Sequence, residues 1–262
     1  MKVTFLGTGT STGVPVPGCE CIVCTSDSVF NKRLRTSVFV EVAGVNILID
    51  TSTDLRQQIL RFGYRDIDGV IYTHAHADHI MGLDDLRAFN FKMQREVPIF
   101  CDEETEGALS TMFYYAFHPN PHYEGGAPPR LVLNRISASK SFSLKGVEIL
   151  PVPIFHGRKQ ILGIKIGGFA YLTDCSNIPP ETVEQLKGID TLVLSSLRHR
   201  QHPTHFTVLQ ALEAISTVSP ARAFLTHLSH ELEHELTNKF LVENGALNVE
   251  VAYDGLTIEV SD

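Results

Sequence analysis

Apolar residues in this chain fall into short runs separated by stretches of helical period. Residues 3–6, 37–42, 45–50, 70–73, 97–101, 147–152, 162–166, 169–173, 191–195, 223–226, 249–253 and 256–260 are rich in Val, Ile and Phe and predict strands, bounded as they are by Gly, Pro and Asp. Ala43-Gly44 and Gly167-Gly168 each separate two runs and predict hairpins. Residues 54–62, 84–93, 103–115, 181–187, 206–218 and 231–244 predict helices. In the fifth of these, Leu209, Leu212, Ile215 and Val218 recur at helical spacing and mark a buried face. Thr204 or Thr207 is placed to cap that helix, and Ser229 or His230 precedes the last one. Strands interleaved with helices argue for an α/β sandwich built in layers. With no repeat and no linker-like shift in composition, the chain reads as a single domain, 1–262. The interruption is an irregular loop insertion around 116–130, where His118-Pro119-Asn120-Pro121-His122 leads into Gly- and Pro-rich sequence. A lid, a contact surface and an inert insertion all remain open for it.

The pattern changes character at His74-Ala75-His76-Ala77-Asp78-His79, where three imidazoles and a carboxylate follow the apolar run Val70-Ile71-Tyr72 with only alanines between them. Packing does not explain such spacing. Neutral imidazole and carboxylate on a loop leaving a buried strand read as metal ligands for zinc, manganese or iron. His156, Asp174 and His227 each stand in the same local context, a polar residue directly after an apolar run. Sites on open α/β sheets gather at such strand ends.

Composition adds limits. At 43% hydrophobic residues the chain has ample material for a core. No apolar run reaches bilayer length, and residues 1–7 lack the apolar stretch of a secretory signal, so a cytoplasmic protein without a membrane partner is expected. The formal net charge of −8 disfavours nucleic acid as a partner. Cys19, Cys21 and Cys24 are crowded together, and a reducing cytosol disfavours reading them as disulfides. Cys101 and Cys175 read as small buried apolar residues.

His74–His79 is the His-x-His-x-Asp-His hallmark of the metallo-β-lactamase superfamily, and the chain resembles that superfamily over nearly its whole length. Thr8-Gly9-Thr10, Ile49-Asp50, His156, Asp174 and His227 extend the resemblance. It implies a four-layer αββα sandwich with metals at one edge. One metal would be held by His74, His76 and His156 and a second by Asp78, His79 and His227, with Asp174 bridging them. Within the superfamily, Cys19-x-Cys21-x-x-Cys24 and the segment Thr226-His227-Leu228-Ser229-His230 are similar to the phosphoribosyl cyclic phosphodiesterases of phosphonate degradation. That likeness implies a structural zinc on Cys19, Cys21, Cys24 and His230, a closed tetrahedral set with no position for substrate. It also implies a catalytic role for His205, which lies 22 residues before His227. Without the resemblance, His199, His202 and His205 are indistinguishable, and His199 and His202 read as solvated loop residues.

The chemistry implied is hydrolysis of small phosphodiesters, cyclic ribosyl or nucleotide esters among them, by a hydroxide bridging two manganese or zinc ions. His205 would protonate or hydrogen-bond the leaving oxygen. Asp78 belongs to the catalytic set through its metal, since a metal-bound carboxylate is a weak base. Rival readings are a ribonuclease-Z-like RNA processing enzyme and a thioesterase or lactonase. A small phosphodiester is the expected partner, and a homodimer is left open.

Overall fold

The alternation of inward and outward residues along the strands builds two facing sheets in the computed structural model, which describes residues 1–118 and 126–261. The first half contributes β1 (Lys2–Gly7), β2 (Ser37–Val42), β3 (Val45–Ile49), β4 (Gly69–Ile71), β5 (Val97–Cys101) and β6 (Leu131–Arg135), with helices α1 (Leu55–Phe62), α2 (Ala77–Ile80), α3 (Arg87–Met93), α4 (Glu103–Met112) and α5 (Tyr114–Phe117). The second contributes β7 (Phe142–Leu144), β8 (Val147–His156), β9 (Lys159–Ile166), β10 (Phe169–Leu172), β11 (Thr191–Ser195), β12 (Arg222–Thr226), β13 (Val249–Val251) and β14 (Thr257–Glu259). Its helices are α6 (Pro180–Leu186), α7 (Val208–Val218) and α8 (His234–Glu243). The strands form two seven-stranded sheets, ordered β14-β1-β2-β3-β4-β5-β6 and β13-β12-β11-β10-β9-β8-β7.

Period-two burial separates the layers. Phe5, Val38, Val40, Ile47 and Ile49 meet Ile164, Ile166, Phe169, Tyr171 and Val193 between the sheets. The intervening residues Leu6, Phe39, Leu48, Val70 and Tyr72 pack outward on Leu55, Leu83, Phe89 and Leu109 of the first helical layer. On the other sheet Ile154, Leu192 and Leu194 pack on Val208, Ala211, Ile215 and Leu241. The result is the layered α/β sandwich that the strand and helix pattern predicts. Truncating a fully buried member such as Ile47 to alanine removes about 2–5 kcal/mol.

Both expected hairpins are present, β2–β3 and β9–β10. The β3-β4-β5-β6 and β10-β11-β12-β13 blocks are parallel, so their carboxyl ends align along one edge. Several local readings differ. The helix expected over 103–115 is interrupted at Phe113, whose ψ of 43° breaks it into α4 and α5. The helix expected from residue 231 starts at His234, because the Glu233 side chain accepts from Leu236 N–H and caps it. Thr207, not Thr204, caps α7 in a reciprocal box with Gln210. β6 and β7 were not anticipated. The loop insertion expected around 116–130 lies in large part outside the described residues. No helix among the described residues is long and apolar enough to cross a membrane.

Candidate metal centre

The aligned strand ends deliver the candidate ligands. β4 runs out into His74, and α2 carries Asp78 and His79 with His76 at its N-cap. His156 ends β8, Asp174 follows β10, and His227 follows β12. Asp174 and His227 hold φ of 54° and 58°, as does Asp50 at 63°. These left-handed conformations are unfavourable for side chains with a Cβ and recur where a site is over-determined by its surroundings.

Seven side chains gather into two overlapping groups, His74, His76, His156 and Asp174, and Asp78, His79, Asp174 and His227, each with its ligand atoms within 4.8 Å of one another. Asp174 divides its carboxylate between them. Its Oδ2 lies 3.8 Å from His74 Nε2, while Oδ1 lies 3.2 Å from His79 Nε2 and 3.1 Å from His227 Nδ1. Asp78 Oδ2 is 3.3 Å from His79 Nε2.

The outward-facing ring nitrogens of four of the histidines are tied down. His79 Nδ1 pairs with Asp50 Oδ2 at 2.7 Å, His74 Nδ1 with Thr73 Oγ1 at 3.0 Å, and His156 Nδ1 with the Thr204 carbonyl at 2.8 Å. Gly157, at φ 64°, lets that strand end close on Thr204, where an added Cβ would come within 2.8 Å of the threonine methyl. Asp50 is itself held by Thr73 N–H and Oγ1–H. His227 reverses the pattern, with Nε2 3.1 Å from Thr10 Oγ1.

The inward atoms, by contrast, have no hydrogen-bond partner. His74 Nε2, Asp78 Oδ2, His79 Nε2, His205 Nδ1 and His227 Nδ1 are all buried and unsatisfied. Leaving such groups unpaired costs about 1–3 kcal/mol each. One cation in each group would satisfy all but the His205 atom, so the residues present fit the metals that the donor set implies. The electrostatics agree. Burial opposes charge throughout, yet Asp174, Asp50 and Asp78 together hold the His79 imidazole well above its usual range. His227 and His79 hold Asp174 well below the usual carboxylate range against the same burial. His74 is pushed well down by burial and by His79. Three buried carboxylates around these rings make a pit that favours positive charge.

His205 stands outside both groups but against them. Its ring stacks on His227 at 5.0 Å between centroids and meets His156 edge-on at 4.6 Å. Burial, reinforced by His227, pushes its pKa down to about 3. Hydrogen bonds from Phe206 N–H to the Cys175 carbonyl and from Leu197 N–H to the Phe206 carbonyl anchor its backbone. His202, read from sequence as solvated, sits beside it with ring centroids 5.0 Å apart. His199 turns away onto Phe240.

Cys19, Cys21 and Cys24 converge on His230 Nδ1, with Sγ distances of 3.2, 3.4 and 3.6 Å. The Cys24 backbone N–H draws the Cys21 thiol down, whereas burial pushes the Cys24 thiol up. Cys101 and Cys175 are buried, as their isolation predicts.

Asp50, Thr10, Thr73 and the Thr204 carbonyl escaped the sequence reading as ring partners. The only signal was the placement of Asp50 before the first helix and of Thr10 in the Thr8-Gly9-Thr10 turn.

Comparison with known proteins finds relatives of the same fold. The family model described as beta-lactamase superfamily domain matches residues 45–228. A solved diphosphatase from the PhnP family is 40% identical, superposes with a TM-score of 0.91, and covers 99% of this chain and 98% of its own. The octanoyltransferase of Porphyromonas gingivalis is 39% identical over 98% of this chain, but the chain spans about half of that relative's length, 51%. Zinc-bound PqqB from Methylobacterium extorquens shares the fold, with a TM-score of 0.80 at 19% identity over 99% of this chain and 100% of its own.

Proposed function

The chain belongs to the beta-lactamase superfamily and within it is related to the PhnP family of metallo-β-lactamase-fold hydrolases, and on that premise we propose that it is a metal-dependent phosphodiesterase of small phosphate esters, cyclic ribosyl or nucleotide esters among them. In this reading His74, His76 and His156 hold one divalent cation, Asp78, His79 and His227 hold a second, and Asp174 serves both. Manganese and zinc both suit these ligands. Cys19, Cys21, Cys24 and His230 hold a structural zinc.

The observation that carries the reading is the division of Asp174, one oxygen toward each histidine group, in a pit whose inward nitrogens lack partners. When bound, two such cations lower the pKa of water and neutralise charge growing on a phosphoryl group. The chain's own residues supply the rest. Asp50, Thr73, Thr10 and the Thr204 carbonyl fix the ring orientations, so the ligand set needs no rearrangement during reaction. His205, against His156 and His227 and held neutral by burial, offers an N–H hydrogen bond to the departing oxygen. Such a donor contributes about 10²–10⁴-fold.

A second reading, hydrolysis of a diphosphate linkage, is favoured by the 40% identical diphosphatase. The octanoyltransferase name belongs to a protein about twice as long and is not carried over.

The test is a substrate panel with manganese- or zinc-loaded protein: 1,2-cyclic and 2′,3′-cyclic phosphodiesters, linear diesters, a dinucleoside diphosphate, a precursor tRNA, a thioester and a lactone. Cyclic diesters should be turned over fastest. Preference for the dinucleoside diphosphate would select the second reading, and preference for RNA or for the carbonyl substrates would reject both.

A further inference from the structure

His227 differs from the other histidines whose ring partners are fixed. His74, His79 and His156 each give Nδ1 to a neighbour, which leaves Nε2 to face inward. His227 gives Nε2 to Thr10 Oγ1 at 3.1 Å and turns Nδ1 to within 3.1 Å of Asp174 Oδ1, where that nitrogen has no hydrogen-bond partner. A half-turn of the ring about Cβ–Cγ would bring carbons to both places, so the hydroxyl contact and the inward nitrogen select the same rotamer.

The backbone around Thr10 is built to hold that hydroxyl still. Leu228 N–H donates to the Thr8 carbonyl at 2.9 Å and Thr10 N–H to the Leu228 carbonyl at 3.1 Å, which clamps the residue beside His227. Gly13 N–H then closes back on the Thr10 carbonyl at 2.8 Å. At Gly9 an added Cβ would lie 3.0 Å from the Arg33 carbonyl, so the approach leaves no room for a side chain. Thr10 is 8% exposed and His227 1%, so water does not compete for the contact.

We propose that Thr10 is the positioning residue for His227, holding its Nε2–H so that this histidine alone among the hydrogen-bonded four ligates through Nδ1. The inference rests on the two-cation reading above. A partner that fixes ligand orientation in this way is worth about 10–100-fold in metal affinity.

The experiment uses full-length, zinc-loaded protein with ¹⁵N-labelled histidine. Long-range ¹⁵N–¹H spectra of the wild type should show His227 bound through Nδ1 with a slowly exchanging Nε2–H, and His74, His79 and His156 bound through Nε2. Thr10→Val keeps the shape and removes the hydroxyl. It should speed exchange of the His227 Nε2–H and weaken binding of one cation of the pair about 10–100-fold by chelator competition, with the thiolate-site zinc retained. Thr10→Ser should restore both. His227 ligation through Nε2 in the wild type, unchanged exchange and affinity in Thr10→Val, or a Thr10→Ser variant as impaired as Thr10→Val would each overturn the inference. A wild type that takes up no cation pair at all would overturn the two-cation reading itself, an outcome distinct from a loaded protein with the wrong nitrogen on the metal.

Discussion

The two metal-ready clusters of this protein are built on opposite plans. The His/Asp cluster draws on loops from both sheets, buries most of its members and splits one carboxylate between two groups. His74, His79, His156 and His227 each have a partner for the ring nitrogen that points out of it, and the inward atoms of His74, Asp78, His79 and His227 are left bare. The thiolate cluster takes three of its four members from six consecutive residues, 19–24, and converges on a single imidazole nitrogen. Two of its cysteines are only half-buried. The first plan spends backbone strain and buried charge to keep an open, polar pit, and the second closes on itself. The difference teaches that one cluster is arranged to hold something further, and the other to tie chain segments together.

The sharpest way to break this contrast is at the shared carboxylate. Asp174→Ala should lower phosphodiester turnover by more than about 100-fold, beyond the cost of losing a mere supporting partner, and should reduce metal content on elemental analysis. Near-normal turnover with both cations retained would show that the split carboxylate does no shared work. Next comes His205→Ala, which touches the pit without belonging to either group. Metal content should stay intact while turnover of esters with alkoxide leaving groups falls by about 10²-fold or more. Nitrophenyl esters should suffer much less, since their leaving oxygen hardly needs a proton. Uniform loss on both substrate types, or loss of metal, would make His205 a structural support.

The thiolate cluster should answer in a different currency. Cys19→Ser should remove one zinc per chain and lower the melting temperature, about 2–4 °C for each kcal/mol lost in a domain of this size. Unchanged zinc would remove the cluster from the metal inventory. The smallest effect lies at Asp254, which accepts from Thr8 N–H, Thr8 Oγ1–H and Leu34 N–H and so supports the segment leading to Thr10. Burial raises its pKa from 3.8 to about 6. Between those values the folded state keeps a proton that the unfolded chain has released. Its contribution to stability is therefore full below about pH 4 and lost as pH rises through 6. Denaturant titrations across this window should show stability rising more, or falling less, with pH in Asp254→Asn than in the wild type, and parallel slopes would exclude Asp254 as the source.

Much of the site was legible because its donors are consecutive or follow apolar runs: His74–His79 is a local pattern, and His156, Asp174 and His227 end strands that β-branched residues announce. The partners that aim those donors were not legible. Asp50 reaches His79 across 29 residues and Thr10 reaches His227 across 217, and neither carries a spacing that marks it. His202 read as solvated because nothing in sequence places its ring beside His205. β6 was missed because Leu131–Arg135 is a partly exposed edge strand ending in Asn and Arg, without clean alternation. α2 was missed because the ligand motif itself forms the helix, and ligand chemistry masks helical period over four residues.

His227 and His230 stand three residues apart on one short segment, with Leu228 between them bridged to Gly9 and bonded on both sides to the N-terminal segment. That segment is a fixed-length ruler. Lengthening it by one residue would throw the two imidazoles out of phase and sever the pit and the thiolate knot together, whereas a substitution at Leu228 that keeps the count would be felt by packing alone, and one at Ser229 would also remove the hydroxyl that accepts from Glu231 N–H. For anyone diversifying this scaffold toward new esters, 226–230 is therefore a stretch to leave at constant length.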